Sequence, residues 1–231
     1  MLVIRNILFY IAFYGGSVFF VIKAVLSQHN RARLRRTCDA WSRWHRRCAG
    51  RLLGIRVAVE GQMLPGAALY VMKHESFFEA IDMPHLFDFP APFGKKELFA
   101  IPGWGRAAEI YGGIEVARDE GAKTLRKMLK QARERIAEGR PMVLFPEGTR
   151  VPHGTRPPLK SGFAALYKML GVPVVPVAVN SGPLYHRRWK VPGTITYRIG
   201  QPIPAGLPRE EAEALVLDAI NQLNAPAPPL A

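Results

Sequence analysis

The sequence predicts an α/β fold, a mixed and largely parallel sheet covered by helices, with an N-terminal membrane-associated helical segment. Three observations carry this prediction. From residue 55 onward, apolar runs of strand length alternate with amphipathic helical stretches. Most polar clusters fall just after those runs, at strand carboxyl ends, where α/β sheets build their sites. Seventeen uncharged, mostly apolar residues lie between Arg5 and Lys23, a length at the short edge of the roughly 17–25 that a membrane-spanning helix needs. The expected organisation is a membrane-anchoring segment with a basic interfacial helix over 1–50, an α/β domain over 51–224 and a disordered tail over 225–231.

At the N-terminus, "NILFYIAFYGGSVFFVI" (6–22) contains Tyr10, Tyr14 and the pair Gly15-Gly16. These suit a helix lying in the interface, or a hairpin, as well as a span. A buried core helix and a cleaved signal peptide are the other readings. No small-x-small cleavage site follows; an arginine-rich stretch does, and it opposes export. Residues 31–56 hold nine arginines against one acid, Asp39, more than half of the chain's net charge of +14. So local an excess seeks a polyanion. No zinc-finger, RRM or KH pattern is present, so the expected partner is an anionic membrane surface and not nucleic acid. Arginine beside Trp41 and Trp44 reads as a helix at headgroup level, and its charge places the domain on the cytoplasmic face of the inner or plasma membrane. Cys38 and Cys48 lack the companions of a zinc site or disulfide framework, so no metal or cofactor is expected.

The domain then reads element by element. Strands are expected at 55–61, 67–72, 112–118, 141–146, 172–179 and 193–200, and helices at 120–139, 161–171 and 208–224. Leu125, Met128, Leu129, Ala132 and Ile136 recur at helical spacing, Gly139 and Gly171 are stops, and Pro208 opens the last helix. The prolines of "VPVVPVAV" (172–179) point to an edge or irregular strand.

Three polar places follow strands. The first is "KHESFFEAID" (73–82), with His74 as a candidate general base. A carboxylate must fix its tautomer, and Glu79 can do so if His74 lies in the turn after the strand and Glu79 in the first turn of a helix. Asp82 is the rival. The second is "FPEGTR" (145–150), where Gly148 and Thr149 offer backbone N–H groups and a hydroxyl and Arg150 a bidentate fork, the parts needed to hold a phosphate. The third is Arg118, closing the strand "GGIEVAR". Taken singly, a solvent-facing histidine and a surface arginine are the ordinary readings. No Gly-x-Ser-x-Gly elbow, Walker loop or dinucleotide fingerprint appears. One base, two anion grips and no protein nucleophile suit direct transfer to a substrate hydroxyl.

Together these blocks resemble the glycerolipid acyltransferase family: His74-x₄-Glu79, Gly113 to Arg118, Phe145 to Arg150, then the Val/Pro strand Val172 to Val179. "KKELFAIPGWG" (95–105) and "LKSGF" (159–163) resemble its intervening segments. The commonest family form has asparagine before the histidine and aspartate as the acid; here Lys73 and Glu79 stand there. The resemblance implies acyl transfer from acyl-CoA or acyl-carrier protein to the sn-2 hydroxyl of 1-acyl-sn-glycerol-3-phosphate, making phosphatidic acid. It implies His74 as base and Glu79 as orienting acid. Arg118, Arg150 and the Glu147-Gly148-Thr149 turn would bind the lysophospholipid acceptor, with a cationic contribution from Lys95 or Lys96. Phe77 and Phe78 would pack the helix against the sheet or line the acyl approach. Another lysolipid acceptor, or a non-catalytic membrane-associated scaffold, are the competing readings.

Overall fold

The computed structural model describes residues 1–116 and 121–224, the side chains of 121–124 excepted. Two helices open the chain, α1 (Leu2–Leu26) and α2 (Arg31–Cys48). Asn30 caps α2, its side chain accepting the Arg33 N–H, and a π-helical turn (Ala49–Leu53) leads out of it. The Gly15-Gly16 pair does not break α1. Gly16 allows close packing, since a Cβ there would stand 2.3 Å from the Trp44 indole nitrogen, whereas Gly15 faces open space. Trp41 bonds the Ser17 hydroxyl and Trp44 the Ala12 carbonyl. Both tryptophans therefore direct their indole N–H groups to α1.

The chain continues through β1 (Ile55–Glu60), β2 (Leu69–Met72), α3 (Phe77–Leu86), β3 (Ala91–Lys95), α4 (Lys96–Phe99), α5 (Trp104–Tyr111) and β4 (Ile114–Val116). Then follow α6 (Gly121–Ala137), β5 (Met142–Leu144), α7 (Ser161–Leu170), β6 (Val174–Val179), α8 (Gly182–Tyr185), β7 (Gly193–Ile199) and α9 (Arg209–Ile220). The strands form one sheet in the order β1-β7-β6-β2-β5-β3-β4. Among the strand pairs of the described residues, β6–β7 alone is antiparallel, so the mixed, largely parallel sheet is as expected.

Side chains alternate across β2. Tyr70 and Met72 join the core beneath α1, α2 and α3, with Phe9, Phe13, Phe78 and Met83. Leu69 and Val71 join the core beneath α6, α7 and α9, with Leu129, Phe163 and Val216. The first two helices thus share the core of the α/β domain.

Two strand expectations are corrected. The 172–179 strand is not at an edge: β6 lies between β7 and β2 and is buried throughout. Pro176 is tolerated because it sits where the ladder to β7 ends, its carbonyl accepting the Gly200 N–H, so the missing donor costs one bond at a margin. β3 is absent from the expected strands, since Pro90 and Pro92 disguise it; it pairs parallel to both β5 and β4.

Where α1, α2, α3 and α8 meet stands His45, wholly buried. Its ring lies 4.8 Å from Phe13 and 4.9 Å from Phe78, and Nε2 is 2.8 Å from the Tyr185 hydroxyl. Burial, then the Arg46 and Lys190 charges, lower its pKa to about 3. An unfolded histidine titrates near 6.5. Between those values the unfolded chain binds more protons, so stability falls as pH drops. Acidification from pH 6.5 to 5 should therefore cost about 2 kcal/mol through this residue. Melting of the parent and of His45→Gln, followed from pH 7.5 to 5, checks this: the parent should lose more stability than the variant over that range.

Candidate active site

The parallel strands β2, β5, β3 and β4 direct their carboxyl ends to one edge of the sheet. That edge receives His74 from β2, residues 145–150 from β5, and Lys95 and Lys96, both exposed, from β3 and α4. β4 ends there too; Arg118, in the segment after it, lies outside the described residues.

His74 occupies the turn after β2, and Glu79 is the third residue of α3. Ser76 caps α3 in a capping box, its hydroxyl accepting from the first turn while the Glu79 carboxylate reaches back to the cap backbone. Ser-x-x-Glu is a helix-start pattern, so a local rule delivers Glu79 to the histidine. The His74 Nδ1 is 3.2 Å from Glu79 Oε1. The same oxygen accepts the Glu75 and Ser76 N–H groups at 2.5 and 2.7 Å. Oε2 accepts the Ser76 and Ser181 hydroxyls at 3.0 and 2.6 Å.

Glu79 is fully buried. Burial alone would raise its pKa, but the bonds from His74, Ser181 and Ser76 outweigh that and hold it below the usual carboxylate value. With Glu79 ionised, Nδ1 of His74 is the donor, and Nε2 carries the lone pair. The ring stacks on Phe145 at 3.9 Å and is 15% exposed at its side chain. A histidine so held can accept a proton at Nε2 from a hydroxyl, while the carboxylate stabilises the imidazolium formed.

Asp82 is elsewhere engaged. It is fully buried, and Arg46 of α2 grips it with both ends of its fork, at 2.5 and 2.8 Å. Of the two carboxylates, Glu79 is the one brought to His74.

The "FPEGTR" turn divides its residues. Gly148 adopts a left-handed φ of 66° and donates to the Phe145 carbonyl at 3.0 Å, a conformation that favours glycine. Thr149 and Arg150 are exposed. Arg150 lies over the Phe77 ring at 3.9 Å, a cation–π contact that holds the guanidinium beside the start of α3. Phe77 is therefore a shelf for Arg150, while Phe78 alone packs into the core. Glu147 turns inward: it is 2% exposed, and one oxygen accepts the His74 backbone N–H at 3.0 Å. Burial raises its pKa despite that bond and the nearby Lys73.

Several residues of the site are missing from the sequence-based expectation. Ser76 could have been read from the capping pattern. Phe145 opens a motif already singled out. Glu75, fully buried, bonds His153 Nδ1 at 2.9 Å and the Gly182 N–H at 2.8 Å. Ser181 and His153 arrive from distant segments, and no local pattern marks them.

The chain matches the acyltransferase family over residues 56–180. It is 32% identical to the 1-acyl-sn-glycerol-3-phosphate acyltransferase of Pseudomonas aeruginosa, over 96% of this chain and 86% of that one. It is 29% identical to the enzyme of the same name from Helicobacter pylori, over 75% of this chain and 71% of the other. The crystal structure of the 1-acyl-sn-glycerophosphate (LPA) acyltransferase of Thermotoga maritima superposes with a TM-score of 0.68 at 25% identity, covering 98% of this chain and 99% of that one.

The two carboxylates should separate on mutation. Glu79→Gln should lower turnover by about 10²–10⁴ with modest loss of stability. Asp82→Asn should destabilise by about 1–3 kcal/mol through the Arg46 pair and leave turnover within a few fold. Melting and initial rates on both variants check this; the reverse pattern would exchange the two roles.

Proposed function

Because this chain belongs to the acyltransferase family, we propose that it transfers a fatty acyl group from a thioester donor to the sn-2 hydroxyl of 1-acyl-sn-glycerol-3-phosphate, yielding phosphatidic acid. The observation that carries the mechanism is the His74–Glu79 pair, with Nδ1 engaged and Nε2 left to act. His74 takes the proton as the hydroxyl oxygen attacks the thioester carbonyl, and Glu79 stabilises the imidazolium. The tetrahedral intermediate then collapses, the C–S bond breaks, and the thiolate leaves with the proton returned from His74. No covalent acyl-enzyme is required.

The acceptor phosphate is assigned to the carboxyl edge of the sheet. Arg150 supplies a bidentate fork, Thr149 a hydroxyl, the turn at Gly148 its backbone, and Lys95 or Lys96 further positive charge, with Arg118 proposed beside them from its place in the sequence. Glu147 faces inward, so its part is to position and not to touch substrate. The acyl donor is proposed to be acyl-CoA or acyl-carrier protein.

We assign α1 and α2 to the membrane surface. α1 satisfies the length and apolarity of a membrane span, with 17% of its apolar window buried. Yet Phe9 and Phe13 enter the domain core, and Asn6 bonds the Lys190 backbone through both its amide atoms. A helix docked along one face is not free to cross a bilayer surrounded by lipid. Its outer face, with Ile4, Ile11, Val18, Phe19, Ile22 and Leu26 exposed, suits a helix lying in the interface, with arginines of α2 on anionic headgroups. This brings the site to a bilayer-borne acceptor on the cytoplasmic face.

Transfer assays in detergent with a panel of lysolipids and both donor types test the reaction. Lysophosphatidate should be the preferred acceptor; equal rates with acceptors lacking a phosphomonoester would favour another lysolipid. Arg150→Lys keeps the charge and loses the fork, and Arg150→Ala loses both. The acceptor KM should rise in that order, by roughly 10–100-fold for alanine, with the thioester KM changed much less. A rise confined to the thioester KM would move Arg150 to the donor. For the membrane, Ile11→Ser/Phe19→Ser should reduce salt-resistant pelleting with vesicles and leave melting unchanged.

A further inference from the structure

Lys73 precedes His74, and its side chain is fully buried. Its ammonium has three N–H groups and three partners. The Thr155 carbonyl and Asn221 Oδ1 accept from it at 2.8 Å each. Glu147 Oε1 lies 2.7 Å away and forms an ion pair with it. The other Glu147 oxygen accepts the His74 N–H at 3.0 Å. Asn221 is the C-cap of α9, and its Nδ2 bonds Leu217. One buried cation therefore ties the end of β2, the turn after β5, the 155 loop and the end of α9 together, immediately behind the histidine.

Stability alone is a poor reason for such a group. Apolar residues of similar volume commonly replace a buried ion pair at no cost. What an apolar residue cannot do is hold a carboxylate in place. We propose that Lys73 is a positioning residue of this site: it fixes the Glu147 carboxylate against the His74 backbone and so sets where the imidazole stands. The proposal rests on the acyl-transfer reading above. The chain from Lys73 to Glu147 to the His74 N–H fixes the backbone end of the histidine. Glu79 and Phe145 fix the ring. Displacement by a fraction of an ångström at either end moves Nε2 relative to the acceptor hydroxyl, and such misplacement is costly to rate.

Among the described residues, the titratable groups facing the Glu147 carboxylate are Lys73 and His74. Its pKa is already raised by burial. Loss of the ammonium raises it further, so an enzyme that needs ionised Glu147 loses activity at a higher pH. A merely architectural lysine would leave that limb where it is.

The test uses the full-length chain in detergent with lysophosphatidate and acyl-CoA, comparing the parent, K73M, E147Q and K73M/E147Q. K73M should lower kcat by about tenfold to a hundredfold with a smaller change in the acceptor KM. The acid limb of its kcat/KM profile should move to higher pH. K73M/E147Q leaves no lone buried charge, so it remains measurable if K73M folds poorly. The amide that E147Q introduces can still accept the His74 N–H, so the double variant should recover part of the kcat and show no shifted limb. A parent-like kcat in K73M would overturn the proposal, as would a K73M/E147Q variant no faster than K73M. A parent inactive with both donor types and all acceptors would overturn the acyl-transfer reading instead, and the role of Lys73 with it.

Discussion

A carboxylate with no exposure to water must be satisfied on every side, and Glu79 is such a group. Two backbone N–H groups, two hydroxyls and an imidazole surround it. Those partners come from the turn after β2, the cap of α3 and Ser181 after β6. The sheet must bring β2 and β6 side by side for Ser181 to arrive, and their parallel pairing does so. The same hydrogen bonds that start α3 hold the carboxylate ionised beside His74. The carboxylate that completes the cap of α3 is also the one that holds the His74 ring.

Around this centre the side chains of the short stretch 73–76 reach several elements. Lys73 goes to Glu147 and the end of α9, His74 to Glu79 and Phe145, Glu75 to His153 and Gly182, and Ser76 to Glu79 and Ser181. The contacts of all four side chains are polar or aromatic, and Lys73, Glu75, Ser76 and Glu79 are themselves buried. Such a network is costly when incomplete, which restricts motion around His74. Thr149 and Arg150 face outward instead, with Arg150 resting over the Phe77 ring. The two opening helices fit the same division, with one face committed to the core and the other to the outside.

Most of the sheet was legible because strand and helix periods differ and because glycines end the helices. Gly171, at a left-handed φ of 65°, closes α7 where the sequence said a helix stops. The His74–Glu79 pairing was legible in spacing, given a turn followed by a helix start. What stayed hidden needed tertiary neighbours. β6 looked like an edge because proline frequency speaks of strands in general, whereas Pro176 merely occupies the end of one ladder. β3 was masked by its prolines. Glu147 shares a motif with Arg150, yet they face opposite ways, Glu147 turning to the buried Lys73 and the His74 N–H. Trp41 and Trp44 have a composition suited to a headgroup layer, but indole N–H groups take partners where the chain supplies them, here on α1. Ser181 and His153 carry no local pattern at all.

The central claim is that His74, held by Glu79, removes the proton from the acceptor hydroxyl. The most direct measurement is the rate of acyl transfer by purified full-length His74→Ala beside the parent, with melting followed on the same samples. Because Glu79 keeps its two backbone and two hydroxyl donors when the ring is removed, the variant should still fold, with its Tm lowered by several degrees at most. The rate should fall by about 10²–10⁴. A variant that melts like the parent and still transfers acyl groups within a few fold of its rate would contradict the claim, and the buried carboxylate would then be a helix cap without a catalytic partner.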